Sequence, residues 1–209
     1  MVINDNSGFW MNILDWAYDR ALTGATGIDK ASTLAIKYAR PDRTLDQQVT
    51  ALVQRQRILA GSSGFITGLG GFMTLPVAIP ANIASVVFIQ IRMIAAIAHL
   101  GGYDTQDKKV KSLVLACMAG NVAKDILQEA GIRIGTRVTQ RIIENISEKT
   151  LIAINQKIGF ALVAKSGSKG MINISKAVPL AGGVVGGSID IISTGLVGRI
   201  ARRIFIDVA

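Results

Sequence analysis

The feature that most constrains this chain is a long stretch in its middle that carries no formal charge. It runs from Gly64 to Ile91 and contains two prolines, Pro76 and Pro80. A stretch of this length and apolarity is expected either inside a protein core or in a membrane, because its transfer out of water is favourable. Hydrophobic residues form 50% of the 209-residue chain and charged residues only 18%. These proportions exclude a disordered chain.

Apolar residues recur at helical spacing nearly throughout, and no two strand-like segments are joined by a tight turn. We therefore predict an all-α fold, a compact helical bundle with glycine-rich, closely packed central helices. A single domain is expected over residues 1–209. Within it we distinguish N-terminal helices at 1–60, the apolar centre at 61–104, basic amphipathic helices at 105–164 and a glycine-rich helical region at 171–209.

Several helix boundaries can be predicted from local signals. Thr44 and Gln47 have the spacing of a capping box, which predicts a helix that starts there and ends near Gly61. The pair Gly101 and Gly102 supplies a stop signal for the apolar helix that precedes it. The pattern accordingly predicts helices over 81–99, 105–131, 132–146 and 148–164.

The charge balance favours an anionic partner. The formal net charge is +9, the sequence pI is about 10.0, and the basic excess lies in the second half of the chain. Three cation clusters are candidate sites for an anion or a membrane surface: Arg133, Arg137 and Arg141, four residues apart on a predicted helix; Lys108, Lys109 and Lys111; and Arg199, Arg202 and Arg203. The alternative is a solvated face that Glu144 and Glu148 partly neutralise. Only 5% of residues are aromatic, which argues against nucleic acid as the partner.

Glycines recur four residues apart in the two least polar regions. Such spacing places bare backbone along one side of a helix and lets a second helix approach closely. A phosphate-binding loop is not indicated, because no Gly-Lys-Ser/Thr sequence accompanies these glycines. The candidate helix-packing residues are Gly64, Gly68, Gly182, Gly183, Gly186 and Gly187.

Single charges interrupt the apolar helices at Arg92 and Asp190. Placing either charge in a bilayer would cost about 2.5–3.5 kcal/mol on insertion scales. Two opposite charges in packed helices can offset each other, so we predict a buried pair between Arg92 and Asp190, with Asp125 as the rival partner for Arg92.

No catalytic residue, metal ligand or cofactor site is predicted. His99 is the only histidine and Cys117 the only cysteine, so a histidine-based metal site and a disulfide framework are both excluded. Cys117 lies in an apolar helical segment, where a thiol is unreactive. An enzyme using carboxylates such as Asp125 and Glu129 stays open as an alternative.

Two parts of the sequence resemble the EcsC family of bacterial proteins. The first comprises Leu75-Pro76, Pro80, Arg92, Ile97-Ala98 and Gly102-Tyr103-Asp104. The second begins at Val178-Pro179-Leu180-Ala181-Gly182-Gly183, continues to Asp190, and includes Gly198, Ala201 and Phe205. The resemblance implies an all-helical domain of unsettled biochemical role. The family takes its name from the third member of an operon whose first two members encode an ABC transporter, which implies proximity to a membrane.

We therefore expect a non-catalytic accessory protein that binds an anionic membrane surface or a membrane protein, such as a transporter, through a basic helical surface. We expect a cytoplasmic location at the inner face of the cell membrane, because the first residues lack the features of a secretory signal. One alternative is an integral protein that inserts residues 64–100 and 178–198 as helical hairpins.

Overall fold

The computed structural model describes residues 5–24, 27–62, 81–132, 138–166 and 182–207. Within these residues the chain forms helices and no extended strand, which confirms the predicted all-α bundle. In chain order the helices are α1 (Asp5–Thr23), α2 (Ala31–Tyr38), α3 (Leu45–Gly61), α4 (Ala81–Leu100), α5 (Lys108–Cys117), α6 (Ala123–Glu129), α7 (Gln140–Glu144), α8 (Glu148–Ser166) and α9 (Gly182–Phe205).

Helix α4 is the centre of the bundle. It packs against α1, α2, α3, α5 and α9, and its residues 84–98 are buried apart from the half-buried Val86. The segment Ile83–Leu100 is apolar and long enough to cross a membrane, with a mean hydropathy of 1.9, yet 78% of it is buried inside the protein. Its apolar character is therefore accounted for by the core of the bundle, where burial of each large side chain contributes about 1.5–3 kcal/mol.

The local geometry confirms two predicted helix ends, the first through its hydrogen bonds and the second through a backbone angle. Thr44 Oγ1 accepts from the backbone N–H of Gln47, and Gln47 Oε1 accepts from the backbone N–H of Thr44, so the predicted capping box opens α3. At the other end of the core, Gly102 has a φ of +81° and ends α4. A residue with a side chain adopts this φ only with strain.

The helix predicted over 105–131 is broken. It begins at Lys108 with Asp107 as its cap, ends at Cys117, and resumes at Ala123 after a short 3₁₀ turn. The break contains Gly120, whose φ is +68°. A residue with a left-handed backbone conformation cannot continue an α-helix, so α5 and α6 are two separate helices.

Helices α3 and α9 run antiparallel and pack closely through glycines. A Cβ built on Gly187 would lie 2.7 Å from the carbonyl oxygen of Gly61, and a Cβ on Gly198 would lie 2.9 Å from Val53 Cγ1. The guanidinium of Arg57 fills the space left by Gly195. This contact agrees with the predicted role of Gly187. Gly182, Gly183 and Gly186 lie in the first turns of α9, whereas Gly64 and Gly68 lie outside the described residues.

Candidate anion-binding surface

Two of the predicted anion-binding cations have acidic neighbours. Nζ of Lys111 lies 2.8 Å from a carboxylate oxygen of Asp15. Nε of Arg202 lies 2.8 Å from a carboxylate oxygen of Asp46 and 3.0 Å from one of Asp207. These carboxylates neutralise the two cations locally, so Lys111 and Arg202 offer less free charge to an anionic partner than an unpaired cation does.

The predicted helical stripe of Arg133, Arg137 and Arg141 is wrong in its geometry. Arg141 belongs to α7, but Thr139 stands before that helix in an extended conformation and its Oγ1 accepts from the backbone N–H of Ile142. Val138 and Thr139 are therefore not helical, and the helix that contains Arg141 begins only at Gln140. Arg141 is exposed, and Arg133 and Arg137 lie outside the described residues.

The remaining cations of the three clusters lie on neighbouring elements. Nζ of Lys109 donates to the carbonyl oxygen of Glu144 at 2.8 Å, which places the start of α5 beside the end of α7. The backbone N–H of Val138 donates to the carbonyl oxygen of Ile204 at 2.9 Å, which places the start of α7 beside the end of α9. Four exposed cations in this region have no ion pair within the described part of the chain: Lys108, Arg141, Arg199 and Arg203.

Helix α9 carries a row of five residues along one side, four of which are exposed. Their spacing alternates between three and four positions, which keeps them on one face of a helix. Ile189 and Ile192 are 61% and 66% exposed, respectively, and Leu196 is half-buried. We call this row the α9 stripe: Ile189, Ile192, Leu196, Arg199 and Arg203.

Arg92 is buried, with 6% of its surface exposed, but its partners are neutral. Nη1 donates to the backbone carbonyl oxygen of Asp29 at 3.2 Å and Nη2 donates to Oε1 of Gln56 at 3.2 Å. The guanidinium also lies 5.5 Å from the ring centre of Phe88. Burial lowers the pKa of Arg92. The predicted pair with Asp190 is therefore wrong, because the guanidinium points to α3 and to the residues before α2.

We expect Arg92 and Gln56 to be energetically coupled. Gln56 is 1% exposed. Gln56→Leu removes an acceptor from a buried cation, and Arg92→Met leaves a buried amide oxygen without its donor, so each is expected to lower the free energy of unfolding by about 1–3 kcal/mol. The double variant removes both partners, and its loss should be smaller than the sum of the single losses by at least about 1 kcal/mol. Urea unfolding followed by circular dichroism measures all four proteins.

The matched control for this cycle is Gln54→Leu, which makes the same change at an exposed position of α3. Its effect on stability should be within about 0.5 kcal/mol, and it should not couple to Arg92→Met. Strict additivity of Gln56→Leu and Arg92→Met would contradict the hydrogen bond that we describe.

The carboxylates and the thiol outside the basic region show no catalytic grouping within the described residues. Burial raises the pKa of Asp190, which lies half-buried on α9. Asp125 is exposed on α6, and Glu129 pairs with Lys157. Cys117 is fully buried and burial raises the pKa of its thiol. In the same described part, no group of three His, Cys, Asp or Glu side chains is placed to hold a metal ion.

Over the residues that the structure describes, the protein is helical, is built around one buried apolar helix, and carries exposed cations that form no ion pair there. The chain belongs to the EcsC protein family, whose pattern it matches over residues 21–206. This match confirms the resemblance seen in the sequence. Comparison with curated proteins and with solved structures gave no match.

Proposed function

We propose that this protein is a non-catalytic accessory protein that binds the anionic surface of a membrane through the α9 stripe and the neighbouring cations. The observation that carries the proposal is the composition of the stripe. Its first half exposes two isoleucines, and its second half exposes two arginines without ion pairs in the described part of the chain. Apolar side chains followed by cations on one helix face suit the boundary between acyl chains and lipid head groups.

Two other sides of α9 pack against neighbouring helices, and the α9 stripe lies on a side that is mostly exposed. Gly187, Gly195 and Gly198 face α3. Nε2 of Gln90, on α4, donates to the hydroxyl oxygens of Ser193 and Thr194, both at 3.1 Å. The stripe extends over about 21 Å of helix at 1.5 Å per residue. Within the described part of the chain its isoleucines and arginines are exposed, whereas Leu196 packs partly against the core.

The magnitudes favour weak and reversible attachment. Each Lys or Arg near an anionic leaflet contributes roughly 1 kcal/mol, and complete burial of an isoleucine side chain contributes about 1.5–3 kcal/mol. The electrostatic part is screened by salt. The burial of α4 supports a peripheral protein over the integral alternative, because inserting residues 64–100 would require unpacking the core helix.

An acidic face of a membrane protein, for example a transporter, offers the stripe the same negative charge. The apolar half favours the lipid surface, since Ile189 and Ile192 have side chains that acyl chains can accommodate without a preformed pocket. We therefore place the bilayer first and a membrane protein second among the proposed partners.

Vesicle flotation tests the proposal. The protein should float with vesicles that contain phosphatidylglycerol, should not float with neutral phosphatidylcholine vesicles, and should detach at high salt. The double variant Arg199→Gln, Arg203→Gln removes about 2 kcal/mol of attraction and should weaken the partition coefficient roughly 30-fold.

The control is Lys124→Gln, Lys149→Gln, which removes the same charge from exposed positions on α6 and α8. This protein should bind nearly as well as the unchanged chain. An equal loss in both double variants would show attraction by net charge alone, and absence of flotation with either vesicle would overturn the proposal. Release only by detergent would instead support the integral alternative.

A further inference from the structure

A polar cleft lies between the start of α2 and the turn that follows α4. Its volume is about 490 Å³. The groups that matter for binding come from both walls: Lys30 and Ser32 from the start of α2, His99 from the end of α4, and Asp104, Thr105 and Gln106 from the turn. No element of the α9 stripe lines it.

Hydrogen bonds from the core hold both walls in place. Arg92, buried in α4, donates to the carbonyl oxygen of Asp29 and so fixes the residue before Lys30. Tyr18 of α1 donates its hydroxyl proton to the carbonyl oxygen of Thr105 at 2.7 Å. The shape of the cleft is therefore set by side chains that belong to the packed interior, as expected of a largely preformed binding site.

Three side chains of the cleft have unused hydrogen-bonding capacity. Lys30, Ser32 and His99 make no side-chain hydrogen bond or ion pair within the described residues. Asp104, on the wall formed by the turn, keeps its negative charge, although its Oδ1 accepts from the backbone N–H of Gln106 at 2.8 Å. The free groups are thus an ammonium, a hydroxyl and an imidazole, and all three can donate.

We propose that this cleft binds a phosphomonoester group. A phosphate carries several acceptor oxygens and a negative charge, which match the cation and the two further donors of α2 and the end of α4, while the carboxylate of Asp104 lies on the turn and can accept from a hydroxyl of the esterified group. The amides of the first turn of α2 add to the match, since Lys30 stands at the cap position without a side-chain hydrogen bond to them. The volume exceeds that of the phosphate alone and leaves room for the group that it esterifies.

The only histidine in the chain provides a probe of ligand binding to the cleft. In the whole chain only His99 contributes histidine imidazole signals, so its resonances in an NMR spectrum need no assignment. Titration with glycerol 3-phosphate should move these resonances along a saturable curve, whereas sodium chloride at matched ionic strength should not. Lys30→Met should raise the dissociation constant about tenfold, because it removes one charge-assisted hydrogen bond.

The control variant is Lys124→Met, which removes one exposed positive charge outside the cleft. Its dissociation constant should stay within about twofold of that of the unchanged protein. A non-saturable response, or equal weakening in both variants, would overturn the proposal. Lys30 is exposed, so its substitution leaves the core intact, and the circular dichroism spectrum should be unchanged.

Vesicles distinguish a lipid head group from a soluble ligand. Phosphatidic acid presents a phosphomonoester and phosphatidylglycerol a phosphodiester, although both are anionic. Preference for phosphatidic acid that disappears in Lys30→Met would identify the head group as the source, and binding of glycerol 3-phosphate without that preference would identify a soluble ligand. This inference is independent of the stripe, because the Arg199 and Arg203 variants should leave the glycerol 3-phosphate titration unchanged.

Discussion

Phe205→Ala is expected to lower the free energy of unfolding by about 3–5 kcal/mol, the usual range for removing a fully buried aromatic side chain. Phe205 is 0% exposed at the end of α9. Its ring packs edge-on against Tyr103 with the ring centres 5.1 Å apart. The substitution leaves a cavity between α9 and the turn after α4, which neighbouring side chains can close only in part. Urea unfolding followed by circular dichroism measures the loss.

Phe160→Ala provides the matched control, since it makes the same chemical change on α8 at a side chain that is 48% exposed. Its loss should be less than about 1 kcal/mol. Equal losses in the two variants would mean that the end of α9 does not contribute to the core in solution, which would contradict the packing described above.

Gly187→Ala is expected to destabilise the protein by about 1–3 kcal/mol. The new Cβ would lie 2.7 Å from the carbonyl oxygen of Gly61, which is a backbone atom and cannot rotate away. Helices α3 and α9 would have to separate, and the contacts on either side of the crossing would lengthen. Thermal or urea unfolding reports the change.

Gly8→Ala makes the same substitution in α1, where a Cβ would meet nothing within 4 Å. Here the helix propensity of alanine should raise stability by about 0.5–1 kcal/mol. The two variants should therefore differ in sign. Stabilisation of the protein by Gly187→Ala would show that the close crossing of α3 and α9 does not form.

Local signals in the sequence were sufficient for many elements. The capping box at Thr44 and the pair of glycines after Leu100 act on backbone atoms a few residues away, so the predicted start of α3 could be checked against two hydrogen bonds and the predicted end of α4 against one backbone angle. The composition of α4 predicted that it would be covered on all sides, either by protein or by lipid, and the fold shows that protein covers it.

The sequence alone could not predict which residues far apart in the chain would become neighbours. The position of both charges in apolar helices predicts a pair between Arg92 and Asp190, but the guanidinium donates to an amide oxygen and a backbone carbonyl, and its buried Nε has no hydrogen-bond partner among the described residues. Neutral acceptors carry no signal in a charge pattern. The neutralisation of Lys111 and Arg202 likewise depends on which helices become neighbours.

The α9 stripe was within reach of sequence reasoning and was missed. The alternating spacing of Ile189, Ile192, Leu196, Arg199 and Arg203 is visible in the printed sequence. The row is difficult to recognise in the sequence because the other sides of the same helix carry glycines, small hydroxyl residues and core residues. Exposure, which only the fold supplies, separates the stripe from them. The cleft was missed for a related reason, since Lys30 and His99 are far apart along the chain.

The central position of α4 matters for how this chain is made. A ribosome releases α4 well before it has synthesised α9, so for that interval the most membrane-like segment of the polypeptide lacks one of its main covers. During that interval the exposed apolar surface of α4 is a target for chaperones and for aggregation. Synthesis of α9 supplies the missing cover, so we expect the burial of α4 to be completed only after α9 has emerged.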